Sequence, residues 1–107
     1  MGLMKKILRE VETVTFSKHF YDEKVRLRGL DEEEIKQYLK ELEKLIEAED
    51  QGEELKGHKY ALLFSKSNKY DLKIAVSIKG KSLNVITTHI QNIKKRKAYE
   101  KWLGKQK

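Results

Sequence analysis

Near residue 57 the hydrophobic period of this chain changes from 3.6 to 2, which restricts it to folds with helices first and strands after. Beyond that point Tyr60, Leu62 and Phe64 alternate with other residues, and Leu72, Ile74, Val76 and Ile78 alternate with Lys73, Ala75, Ser77 and Lys79. A period of 2 places one set of side chains on each face of a strand. Ser67-Asn68-Lys69 supplies a turn between these two strands, and Gly80-Lys81 is a tight hairpin signal leading to a third strand over residues 83–90. Strands joined by turns this short are antiparallel neighbours.

The first half reads as helical. Residues 3–11 place Leu3 or Met4, Ile7, Leu8 and Val11 at helical spacing, and residues 12–16 are either a linker or a short edge strand. Ser17 is an N-cap, with Phe16 and Tyr21 placed as a hydrophobic staple, for a helix running to Arg28 and stopped by Gly29. Asp31 caps the next helix, with Glu34 three residues on and Leu30 and Ile35 as a second staple. Ile35, Tyr38, Leu39, Leu42, Leu45 and Ile46 form one apolar stripe, so this helix is expected to continue to Gln51-Gly52. A closing helix is expected from about Lys94 to Leu103, with Ala98, Tyr99, Trp102 and Leu103 facing inward. The expected fold is α+β: an N-terminal helical hairpin packed on a three- to four-stranded antiparallel sheet, then a C-terminal helix. Its 107 residues suit a single domain, with the N-terminal 15 the least defined part.

Charge narrows the function classes. Residues 1–51 hold 10 Lys/Arg against 13 Asp/Glu, a net of −3, whereas residues 52–107 hold 14 against 4, a net of +10. A basic half beside an acidic half points to a polyanion partner on one surface. The bland alternative is a solvated Lys/Glu-rich surface of the kind found in heat-adapted proteins. The chain contains no cysteine, which excludes thiol catalysis, disulfides and cysteine-ligated zinc. Its histidines show no metal-ligand spacing, so neither a metal nor a cofactor is expected. No apolar run is long enough for a membrane span or for a signal-peptide core, and a cytoplasmic location is expected.

The densest candidate chemistry lies where LNVITTHI runs into QNIKKRKAYEKWL. His89, on the strand face shared with Leu83, Val85 and Thr87, is a general acid/base candidate near neutral pH. Lys94, Lys95, Arg96 and Lys97 crowd a helix start, where basic residues do not help the helix but a phosphate would be welcome. Arg96 suits a bidentate phosphate contact or a pentavalent transition state. Tyr70, after a polar turn, is the exposed aromatic that could stack on a base or bond a phosphate, while Tyr60 and Tyr99 read as core. His19 reads as structural, and His58 is assigned no role.

Two stretches, FSKHFYDEKVRLRGLDEEEIKQYL (residues 16–39) and LNVITTHIQNIKKRKAYEKW (residues 83–102), carry a family likeness. The first is similar to the opening helical hairpin of small RelE-like proteins, the second to the end of BrnT-type ribonuclease toxins. Together with the order helix, helix, strand meander, helix, the chain resembles the RelE/ParE-like toxin superfamily. That resemblance implies a metal-independent endoribonuclease, in which an RNA 2′-hydroxyl attacks the adjacent phosphate, acting free or on the ribosome. It implies His89 and Arg96 as the catalytic pair, Lys94, Lys95 and Tyr70 as backbone contacts, and a cognate antitoxin as protein partner. Two other readings stand beside it: a non-catalytic nucleic-acid-binding module on the same basic face, and a protein-interaction domain using the acidic stretch over residues 31–50 or the basic helix.

Overall fold

The computed structural model describes residues 2–23, 31–55 and 57–94. Helix α1 (Gly2–Arg9) leads into strand β1 (Thr13–Phe16), followed by helices α2 (Lys18–Glu23) and α3 (Glu32–Lys40) and a 3-10 turn (Leu42–Lys44). A meander of four strands completes the order: β2 (Leu45–Glu54), β3 (Gly57–Ser65), β4 (Tyr70–Lys79) and β5 (Ser82–Asn92). The five strands form one mixed sheet in the order β1-β5-β4-β3-β2, with β1 parallel to β5 and every other pair antiparallel. The α+β class holds, but the sheet is wider than the expected three or four strands and is not purely antiparallel. The expected C-terminal helix beyond Lys94, and helix α2 beyond Glu23 with its Gly29 stop, lie outside the described residues.

One core forms on one face of the sheet. Met4 and Leu8 of α1, Phe20 of α2, and Ile35 and Leu39 of α3 pack against Leu62, Phe64, Leu72, Ile74, Val76, Leu83 and Val85. Phe20, Phe64, Ile35, Leu62 and Leu72 are almost completely removed from water. Losing one such aromatic by truncation costs about 3–5 kcal/mol, so this layer dominates the stability of the domain. Helices α1, α2 and α3 all contribute to this face, and Lys73, Ala75, Ser77 and Lys79 turn to the other one, where Ser77 is buried together with Ala61, Leu63 and Asp71.

The acidic segment 45–54 departs most from the sequence reading. Helix α3 ends at Lys40, where the Glu41 N–H still bonds Gln37 O at 2.8 Å but Glu41 itself has left helical geometry. Leu42 and Leu45 are buried as the stripe requires, yet Leu45 opens a strand. Pairing with β3 satisfies the backbone and buries Leu45, while Glu47, Glu49, Asp50, Glu53 and Glu54 reach water along the sheet edge. Tertiary pairing overrides local helix preference here. Gln51-Gly52, expected to stop a helix, instead marks a bulge, with Gly52 at φ 91 and its N–H bonded to Asp50 Oδ1 at 2.9 Å. Gly57 closes the β2–β3 hairpin at φ 127, and a Cβ there would stand 2.6 Å from the Ile78 carbonyl oxygen. Between β4 and β5, Lys79 pairs with Ser82 and Gly80 has φ 60, as a two-residue II′-type hairpin requires.

Ser17 joins three elements. Its hydroxyl accepts from the Phe20 N–H at 3.2 Å, capping α2, and donates to the Ile86 carbonyl at 2.7 Å. Its own N–H bonds Val85 O at 2.8 Å, where β1 ends against β5. Ile86 is the extra residue of a bulge: Val76 pairs with Val85 and Ala75 with Thr87, which skips Ile86. The Phe16–Tyr21 staple is present at 6.4 Å between ring centroids, and Asp31 caps α3 with Oδ1 accepting from the Glu34 N–H at 2.9 Å. Ser17→Ala, which loses both the cap and the bulge bond, is expected to lower stability by about 1–2 kcal/mol in urea unfolding. Ser17→Thr, which keeps both, should stay close to wild type. Ser17→Asp, which can cap but not donate, should fall between them.

Candidate functional site

The bulge decides where His89 sits. Before Ile86, Leu83 and Val85 face the core, and after it the parity reverses, so Thr88 and Ile90 turn inward and Thr87 and His89 outward. The expectation that His89 shares a face with Leu83 and Val85 is therefore corrected: an inserted residue flips every side chain beyond it. His89 is exposed on the face opposite α1, α2 and α3, directly across from the half-buried Lys73. Their neighbours on this face include Thr87 opposite Ala75, Asn84 opposite Ser77, and Gln91 opposite the buried Asp71. Thr15 of β1 extends it, its hydroxyl bonded to Asn84 Oδ1 at 3.0 Å.

The other expected site residues divide. Tyr70 is 44% exposed at the start of β4, opposite Asn92, but strand alternation puts it on the helix side, three residues along from the Lys73 position. Lys94 is exposed just past β5, with its N–H bonded to Asn92 Oδ1 at 2.9 Å. The strand runs two residues beyond the expected end at Ile90, ending at Asn92 directly before Ile93 and Lys94. Lys95, Arg96 and Lys97 lie outside the described residues. The structure thus brings His89 together with Lys73, and separates both from Tyr70.

A second constellation was missed in the sequence because its carboxylates were read as helical. At the β2–β3 hairpin, His58 Nε2 lies 2.5 Å from Asp50 Oδ1, and Nδ1 lies 3.7 Å from Glu53 Oε1. The imidazole also packs on the Tyr60 ring at 4.6 Å between centroids. The hydrogen bond that His58 donates to Asp50 holds the imidazole above its ordinary pKa against the opposing effect of burial, with Glu53 adding to the rise. Asp50 is lowered first by the Gly52 N–H and then by His58. Burial, then Asp50 and Glu53, push the Tyr60 phenol up. The spacing that could have revealed this group is an acidic strand folded back on His58 through Gly57. Among the described residues no cluster of His, Asp and Glu suits a metal ion, and no helix is long and apolar enough to cross a membrane.

The pair makes stability depend on pH with a definite sign. Because folding raises His58 above 6.5, its contribution is complete below that pH and fades as pH climbs through the folded value. Because folding lowers Asp50 below 3.8, its contribution is present above that pH and fades as pH falls through the folded value. The stability gap between wild type and His58→Gln should therefore be widest between pH 3.8 and 6.5 and narrow above it, as read from urea midpoints across pH. A gap that is constant through the rise above 6.5 would contradict this coupling.

Compared with family models, with curated proteins and with solved structures, the chain matches none.

Proposed function

We propose that the chain binds RNA on the face of its sheet opposite α1, α2 and α3 and cleaves it without metal, as an endoribonuclease of the RelE/ParE-like kind. The observation that carries this reading is the cross-strand pair of His89, exposed, and Lys73, half-buried, on the sheet face opposite α1, α2 and α3. An exposed imidazole can take the proton of a 2′-hydroxyl as that oxygen attacks the adjacent phosphorus, and return a proton to the departing 5′-oxygen. A fixed ammonium beside it offsets the charge that develops on the non-bridging oxygens. The products are a 2′,3′-cyclic phosphate and a 5′-hydroxyl. Asn84 lies on the same face, where a polar group can position the sugar-phosphate backbone. Arg96, with Lys95 and Lys97, would add phosphate contacts next to the end of β5, and Lys94 stands at that end.

Favouring the polyanion part of this reading is the net charge of +10 over residues 52–107, the half of the chain that supplies β3, β4 and β5. Glu47 and Glu49 of the edge strand share this face, and Leu63 of β3 stands between Glu47 and Lys73 in the same cross-strand row, so the proposed contact surface lies over β4 and β5. A cognate protein that covers this face would hold the activity in check.

Incubation with RNA in EDTA, free and on ribosomes, tests the proposal. Wild type should give fragments ending in cyclic phosphate, and His89→Ala should slow cleavage by about 10²-fold or more. Lys73→Ala should weaken binding and lower its dependence on salt by about one counterion. Salt-sensitive binding without cleavage would leave a nucleic-acid-binding module, and intact RNA with no binding would remove the proposal altogether.

A further inference from the structure

We propose that the outer edge of β2 docks an extended protein segment in which basic and apolar residues alternate. Among the described residues strand β2 has a sheet neighbour on one side only, so backbone groups along its outer side can receive a further strand. Natural edges of this length are commonly blunted by charge, bulges or a covering element. Here the bulges fall at Ile46 and Gln51, toward the two ends, and leave residues 47–50 in regular register with β3.

The charge on this edge has one sign. Glu47, Glu49, Asp50, Glu53 and Glu54 are its ionisable residues, with no lysine or arginine among them. Asp50 and Glu53 are engaged by His58, and Glu54 lies 3.5 Å from Lys59. Glu47 and Glu49, which point to the face away from α1, α2 and α3, opposite Leu63 and Ala61, have no basic partner among the described residues. A second copy of β2 would set carboxylate against carboxylate, and RNA would be repelled. A strand carrying lysine or arginine beside Glu47 and Glu49 is attracted instead.

The other face of the same edge is apolar apart from Asp50, which His58 engages. Ala48 points to the helix side and, with Leu3, Met4 and Ile7 of α1 and with Asp50 and Tyr60, lines a cleft of about 170 Å³. Leu3 is 74% exposed at this cleft, beside Ala48, Met4 and Ile7. A paired strand sends alternate side chains to opposite faces. Its basic residues would meet Glu47 and Glu49, and the apolar residue between them would lie beside Ala48, under Leu3 and Ile7. Edge hydrogen bonding, charge and the cleft therefore select one alternating pattern.

Titration of the isotopically labelled full chain with the heptapeptide Lys-Val-Lys-Val-Lys-Val-Lys tests this by amide NMR. The expected result is shifted and exchange-protected amides at residues 47–50, with an affinity lowered by about tenfold in the Glu47→Lys, Glu49→Lys variant and also lowered in Leu3→Ser. The same peptide with alternate backbone nitrogens methylated should not bind, since it keeps the charge and loses the strand pairing. Equal binding of the methylated peptide to wild type, shifts confined to other elements, or no shifts at all would overturn the proposal.

Discussion

The hydroxyl of Ser17 ties together the parts of this fold that determine its chemistry. It caps α2, closes the junction between β1 and β5, and satisfies the carbonyl of the bulged Ile86. The bulge in turn sets the parity of the rest of β5. Without an extra residue there, His89 would point into the helix-side core, and Thr88 and Ile90 would point out. A capping interaction of about 1 kcal/mol thus accompanies a choice of face for the whole second half of a strand.

Packing of α1, α2 and α3 on one face sets the division of labour across the sheet. These helices bury the apolar row there. The other face carries the buried Ala61, Leu63, Asp71 and Ser77, with His89 and Lys73 paired on β5 and β4 and Glu47 and Glu49 on the edge strand. Basic and acidic functions therefore sit on different strands, with β3 between Lys73 and Glu47. The first suits a phosphodiester backbone, and the second suits a cationic strand.

Much of the scaffold could be read directly from residue types. The alternation over Leu72, Ile74, Val76 and Ile78, the Gly80 turn and the caps at Ser17 and Asp31 are local signals, and each appears where expected. Strand β2 was hidden because Leu42 and Leu45 keep helical spacing with Ile35 and Leu39, and only the pairing partner β3 distinguishes the two outcomes. The bulge was hidden for a different reason. Val85 and Ile86 are both β-branched and apolar, so the pattern fits either parity and long-range contacts decide it. The errors at the site follow from these two: His58 lost its carboxylates with β2, and His89 was assigned the wrong neighbours.

Cysteine scanning along β5 addresses the reversal of parity most directly, because the chain has no cysteine of its own. Single cysteines at positions 84, 85, 88, 89 and 90 would be compared for their rates of reaction with a small thiol reagent under native conditions. The bulged strand predicts fast reaction at 84 and 89 and protection at 85, 88 and 90. Protection at 85 and 89 together, with fast reaction at 88 and 90, would mean a straight strand and would remove His89 from the face it shares with Lys73.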